Sequence, residues 1–375
     1  MSGSPLSFWG FSTPTIDRIF SADGVVKAIM RFEGALAEAL GEVGIAPEDE
    51  AKAVAAVCEE PVGDPDRLLR STWEMGSPLI VLVEVIRSRL DDDDQRRWVH
   101  YGATTQDAID TVHMLAAKEA LGYLDDGLAT VCRIMRDLVV AYRDQPHLAR
   151  TFLQDAQPTT FGLRVAGWLQ PTLTHLETLR ETRATLAVQL GGPVGNLATY
   201  GPKGTAVVES VARRLDLRPP DLAWHTDRSR IRALVAAVLD PVSTLAKVAT
   251  DVGLLAQSAI GEVTVRPGGS SSIASKENPI DAIRALAAAD VCTGAAAMIT
   301  RARPHELDRA MGSWHTEWVA LPMVFSSASA VVEAISSLLG SLEVDREVMA
   351  SGVDKPPDIE PGLIDRILDR CAELV

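Results

Sequence analysis

Three stretches of this 375-residue chain concentrate side chains that could hold a carboxylate. The first is His100-Tyr-Gly-Ala-Thr-Thr-Gln-Asp107. Its Gly102 frees the backbone, Thr104 and Thr105 offer hydroxyls and amides, and Asp107 can cap a helix start. A donor-rich helix N-terminus suits an anion, although the same residues also make an ordinary capped turn. The second, Arg150 to Gly162, carries Gln154, Thr159 and Thr160, which could hydrogen-bond a ligand or cap a helix with Pro158 near its first turn. The third is Trp224-His225-Thr226-Asp227-Arg228-Ser229-Arg230. A guanidinium grips two oxygens at once, so Arg228 and Arg230 are candidates for a substrate carboxylate. A lone His225 more often serves structure.

A fourth stretch, Gly268 to Pro279, holds Ser270, Ser271, Ser272, Lys276 and Asn278 between two long helical segments. By composition it is a flexible linker. The four stretches together nevertheless resemble the fumarase/aspartase superfamily. Its His-x-Gly-Ala-Thr-Ser-Gln-Asp motif, running on to Asp-Thr, is matched by His100 to Asp107 and Asp110-Thr111, with Thr105 in place of the serine. Its Gly-Ser-Ser-x-Met-Pro-x-Lys-x-Asn-Pro signature falls on Gly269 to Pro279, with Ile273 and Ala274 replacing Met-Pro and Ile283 replacing an acidic residue further on. Adenylosuccinate and argininosuccinate lyases place a catalytic histidine where this chain has Phe152. The bacterial 3-carboxy-cis,cis-muconate cycloisomerases have an aromatic there, followed by Leu-Gln, Pro-x-Thr-x-Gly and Ala-Gly-Trp-Leu. Leu153-Gln154, Pro158 to Gly162 and Ala166 to Leu169 match them.

The resemblance implies an all-α fumarase/aspartase-like fold, with five long central helices assembling into a homotetramer whose sites each draw on three subunits. It makes Ser270 and Lys276 catalytic, and His100, Thr104, Thr105, Gln154, Thr159, Arg228, Ser271 and Asn278 substrate-binding. The implied enzyme moves a proton at the carbon beside a carboxylate of a small polycarboxylate and closes a lactone, with no metal or organic cofactor. Serine is a poor base in water, so Ser270 would rely on Lys276 and on oriented amides in a closed loop. A C–N lyase acting on a substituted succinate of the adenylosuccinate or nitrosuccinate type is the second enzyme reading, and a catalytically silent helical scaffold is the third.

The elements that must position these residues read as helices. Apolar residues recur every three or four positions over Asp107–Tyr142, Thr160–Gln189, Ile231–Ile260, Pro279–Arg301 and Val319–Leu342. Pro241 should kink the third of these or mark its start. Strand-period alternation is not expected anywhere. Ser21 or Asp23 should cap an earlier helix that breaks near Gly44–Pro47. We expect an N-terminal helical unit over 1–100, a central bundle over 101–345 with the catalytic loop at 262–279, and a reduced C-terminal unit over 346–375.

Composition fits this reading: 47% hydrophobic, 5% aromatic and 23% charged, which is folded and helix-favouring. A formal charge of -15 argues against nucleic acid as a partner, because phosphate binding needs dense Lys and Arg. The uncharged run Ala184–Pro202 is interrupted by glycines and prolines and reads as a helix end plus a loop, so no membrane partner is expected. Met1–Gly10 lacks a basic start and an apolar stretch, and the expected location is the cytoplasm.

Overall fold

The computed structural model describes residues 5–273, 275–301, 305–360 and 362–375. Ala274, one of the two departures from the loop signature, lies outside the described residues. In chain order the principal helices are α1 (Ala22–Glu42), α2 (Glu48–Glu59), α3 (Pro78–Ser88), α4 (Thr105–Ala141), α5 (Phe161–Ala184), α6 (Gly204–Leu215), α7 (Ser229–Leu255), α8 (Ile280–Thr300), α9 (Ser313–Gly340) and α10 (Gly362–Leu374). The expected five-helix centre is present as α4, α5, α7, α8 and α9. With 37 residues, α4 is about 55 Å long at roughly 1.5 Å per residue.

Small side chains set how closely these helices pack. Ala285, Ala288, Ala289, Cys292, Ala295 and Ala296 are all buried on α8, which lets α9 and α7 approach its backbone. Helix α4 packs on α5 and α9, and α5 on α7. Bulk is concentrated in fully buried Trp168, Phe161 and Phe325. Helix α1 begins at Ser21, whose hydroxyl accepts the Gly24 amide at 3.1 Å, and the chain breaks after it at Gly44, where φ is +68°.

Two expectations need correction. Pro241 does not mark the start of α7, which runs from Ser229 to Leu255 with Pro241 buried inside it; packing of the surrounding turns outweighs the lost hydrogen bond. The stretch before α5 is not simply a helix cap. It is an antiparallel hairpin of β1 (Pro146–Thr151) and β2 (Gln154–Thr160), paired Thr151 to Gln154 at its tip. The two-residue turn, Phe152 and Leu153, has φ of +52° and +61°. Such turns normally announce themselves with Asn-Gly or Asp-Gly. Two bulky residues there give no such signal. A second small ladder joins β3 (Val263–Thr264) to β4 (Glu343–Val344).

Three helices, α7, α8 and α9, are long and apolar enough to cross a membrane by length and composition, with mean hydropathy of 1.4, 1.5 and 1.6. A helix apolar on all sides belongs in a protein core or in lipid. Here all three pack together in the central bundle, and α8 keeps Ile283, Leu286 and Met298 exposed.

Candidate active site

Asp107 organises the first stretch. It is fully buried and accepts four hydrogen bonds: from the Thr104 amide at 3.0 Å, from the amides of Gly191 and Gly192 at 2.9 Å each, and from the His225 ring nitrogen, with which it stands at 2.7 Å. Gly192 has φ of +76°, and a Cβ there would meet the Gly102 carbonyl at 2.8 Å, so only glycine lets the two turns touch. The outcome is a fixed N-terminus for α4, with Thr104 and Thr105 half-buried at its mouth. His225 takes its structural reading, as a prop for Asp107. His100 sits just outside with φ of +57°, its Nδ1 2.7 Å from the buried carboxylate of Glu33. Burial alone would lower its pKa, but Glu33 holds it above the ordinary histidine value.

The expectation for Arg228 is corrected by its surroundings. It is 3% exposed. Its guanidinium donates to both oxygens of Asp110 at 2.8 and 2.9 Å, to both oxygens of Glu317, and to the Trp224 carbonyl at 3.5 Å. Those bonds occupy all five of its donors, leaving none for a substrate. Asp110 also accepts from the Trp314 indole at 2.9 Å and from Gln106 at 3.1 Å. Burial would raise the pKa of Asp110, yet Arg228 brings it below the usual carboxylate range, whereas burial wins at Glu317 and raises it.

The guanidinium that faces the α4 mouth belongs instead to Arg309. It donates to the Thr104 hydroxyl at 2.9 Å and to the Pro193 carbonyl at 3.1 Å, and no carboxylate among the described residues lies within ion-pair distance of it. Sequence reasoning missed this residue. Its neighbours Glu306 and Asp308 make the segment read as a solvated charge cluster, and the only available signal was its position just ahead of Trp314.

Gln154 stands at the exposed start of β2, and Thr159 is half-buried near its end. Strand β1 of this hairpin is tied down by Glu262, a buried carboxylate. It accepts from Arg150 at 2.5 and 3.0 Å and lies 3.1 Å from the His147 ring nitrogen. Burial works against ionisation there, but His147 and Arg150 prevail and bring Glu262 to about 2. Glu262 immediately precedes β3, which leads into the serine loop.

That loop is pinched at its neck. Gly268 and Asn278 exchange backbone hydrogen bonds at 2.7 and 3.0 Å, and the Asn278 side chain donates to the Gly269 carbonyl at 3.0 Å. A Cβ at Gly268 would meet Ile280 at 2.8 Å. Above the neck, the Ser270 hydroxyl accepts the Ile273 amide at 3.1 Å, a contact that favours the deprotonated oxygen. Ser271 and Lys276 are exposed. Arg266, just before the neck, is held by Asp281 at 2.6 and 3.1 Å, and Ser337 donates to the same carboxylate at 2.8 Å.

The structure therefore gathers His100, Thr104 and Thr105 at one mouth. Gln154 and Thr159 lie on the hairpin, and Ser270, Ser271, Lys276 and Asn278 on the loop. Among the described residues, no hydrogen bond or ion pair within one chain joins the Thr104 mouth to Gln154 or to Ser270. The mouth presents helix amides, two hydroxyls and a guanidinium, a set that can bind a carboxylate. The loop presents a hydroxyl under an amide, and an exposed lysine stands on the same loop, a set that can exchange a proton.

A family model described as Lyase matches residues 11–292. The chain is 33% identical over 346 residues to a 3-carboxy-cis,cis-muconate cycloisomerase of Pseudomonas aeruginosa, covering 90% of this chain and 75% of that one. It is 31% identical to a nitrosuccinate lyase of Streptomyces davaonensis, covering 88% and 72%. The crystal structure of the 3-carboxy-cis,cis-muconate lactonizing enzyme from Pseudomonas putida superposes with a TM-score of 0.86 at 30% identity, covering 99% of this chain and 88% of that one. With most of its length matched in sequence and nearly all of it in fold, the chain belongs to the lyase family of the fumarase/aspartase superfamily.

Proposed function

We propose that this enzyme acts on 3-carboxy-cis,cis-muconate or a near analogue. A carboxylate oxygen of the substrate adds across a carbon–carbon double bond to close a lactone, and the neighbouring carbon takes a proton. In our reading Ser270 delivers that proton and is reprotonated from solvent, while Lys276 and the Ile273 amide favour the transient alkoxide. Thr104, Thr105 and Arg309 hold a second carboxylate at the mouth of α4, and His100, Gln154, Thr159, Ser271 and Asn278 complete the contacts. The observation that carries this reading is the Ser270 loop itself, closed at its neck by Gly268 and Asn278, with the Ser270 hydroxyl under the Ile273 amide. No cofactor is called for.

A homotetramer follows from the same reading. Among the described residues, no hydrogen bond or ion pair joins the Thr104 mouth to the Gln154 hairpin or the Ser270 loop within one chain, Phe152 is 99% exposed at the hairpin tip, and α8 offers an uncovered apolar face. Neighbouring copies would cover both surfaces and bring the three segments together. The 1–100, 101–345 and 346–375 division and a cytoplasmic location are part of this proposal.

The test is an ultraviolet assay with purified protein. Cyclisation removes the diene absorbance of carboxymuconate, and Ser270→Ala should slow it by at least about 100-fold, the lower range for a proton-transfer group. The likeness to a nitrosuccinate lyase supports a second reading, elimination from a substituted succinate, which would instead generate alkene absorbance. Equal background rates for wild type and Ser270→Ala on every such substrate would leave only the silent scaffold.

A further inference from the structure

Well away from the Thr104 mouth, four cations line a surface cleft of ≈ 640 Å³ between α4, the end of α5 and the segment after α6: Lys118, Arg180, Arg183 and Arg218. Lys118 lies 14 residues along α4 from Thr104, about 20 Å at roughly 1.5 Å per residue. Two of the four are neutralised. Lys118 pairs with Asp216 at 2.5 Å, and Arg180 pairs with Asp125 at 2.9 Å. Arg183 and Arg218 make no ion pair with a described residue. Four cations against two carboxylates leave two positive charges in the cleft, on a chain whose formal charge is -15.

The two unpaired arginines are also oriented. Arg183 spends its Nε on the Lys118 carbonyl at 3.0 Å, and Arg218 spends its Nε on the Ala184 carbonyl at 3.2 Å. The Nε of each is occupied, and the two terminal nitrogens of each make no hydrogen bond to a described residue, leaving a free fork. The Arg183 guanidinium lies against Gly122, where an added Cβ would come within 3.0 Å of Nη2. A carboxylate offers two oxygens and satisfies one such fork. A tetrahedral phosphate offers three terminal oxygens and up to two charges, which match two forks. Leu186 and Leu217 add apolar wall, and the cleft has room for an organic body beyond the anion.

We infer that this cleft is a second binding site, distinct from the candidate active site, for the phosphate group of a small phosphorylated molecule. The experiment is calorimetric titration of the full-length protein with pyrophosphate and with inorganic phosphate, against chloride at matched ionic strength. Wild type should bind pyrophosphate, and the double variant Arg183→Gln/Arg218→Gln should bind it at least tenfold more weakly, with any turnover of the wild type unchanged. The double variant Arg183→Lys/Arg218→Lys, which keeps charge but loses the forks, should fall between them. If the glutamine pair fails to fold, Arg218→Gln alone decides: its arginine is exposed, and its loss should weaken binding severalfold. Equal binding by wild type and the glutamine variants, or a response to pyrophosphate no larger than to chloride, overturns the assignment.

Discussion

At the scale of single residues, the guanidinium expected of Arg228 is supplied by Arg309 instead, and the two arginines yield separable predictions. Arg228 neutralises Asp110 and Glu317 in the interior, so Arg228→Met leaves two buried carboxylates without a cation. Stability should fall by about 3 to 5 kcal/mol, the usual result of removing one partner of a buried pair, as read from urea unfolding. Arg309→Gln should leave that midpoint nearly unchanged and lower kcat/KM by about 10- to 100-fold, the worth of one hydrogen bond to a charged group. Neither role could be read from the sequence. Arg228 and Asp110 are 118 positions apart, and a run of charges carries no mark of which members are buried. His225, read from the sequence as more often structural, lies buried against the Asp107 carboxylate.

A titration belongs to this scale too. The His113 imidazole, buried beside Asp110 and Arg228, is pushed down to about 4 by burial, with Asp110 opposing and Arg228 adding to the shift. The unfolded chain takes up this proton near the ordinary 6.5 while the folded chain refuses it until about 4. The stabilisation by neutral His113 is thus complete above pH 6.5 and is lost as pH falls through that window. It amounts to about 3 kcal/mol at the lower end. The window for Glu262 is separate, since its stabilisation is lost only as pH falls from 4.5 towards about 2. His113→Gln should flatten the loss of urea midpoint between pH 6.5 and 4; an unchanged slope would discard the assignment.

At the scale of elements, what was legible follows from period and capping. The five central helices were readable because apolar residues recur at 3.6-residue spacing over more than twenty positions each, and Ser21 because it opens such a run. The hairpin was not, because its strands are largely polar and its turn places Phe152 and Leu153 at positive φ. Replacing them by Asn and Gly should relieve that strain and stabilise an isolated chain by about 1 kcal/mol, measured by unfolding at low protein concentration. The loop neck gives the opposite kind of test. Gly268→Val drives side-chain atoms into Ile280, and should depress turnover at least tenfold while the thermal midpoint moves little, because the loop is exposed.

At the scale of the whole molecule, the uncovered apolar face of α8 and the bare hairpin tip belong together. Monomers in water seldom leave large apolar patches without a partner, and the composite site proposed above would account for both. Light scattering on the wild type should report a tetramer, and the Asn-Gly hairpin variant should dissociate at higher concentration even though its single chain is more stable. A stable wild-type monomer would end the composite-site reading.

Glu262 has a consequence of its own. One carboxylate serves as the shared anchor for two segments, gripping the hairpin through His147 and Arg150 while standing at the head of the strand that feeds the serine loop. The two pieces cannot drift or be retuned independently, so any substitution at this position is felt twice, at the tip that carries Gln154 and at the loop that carries Ser270.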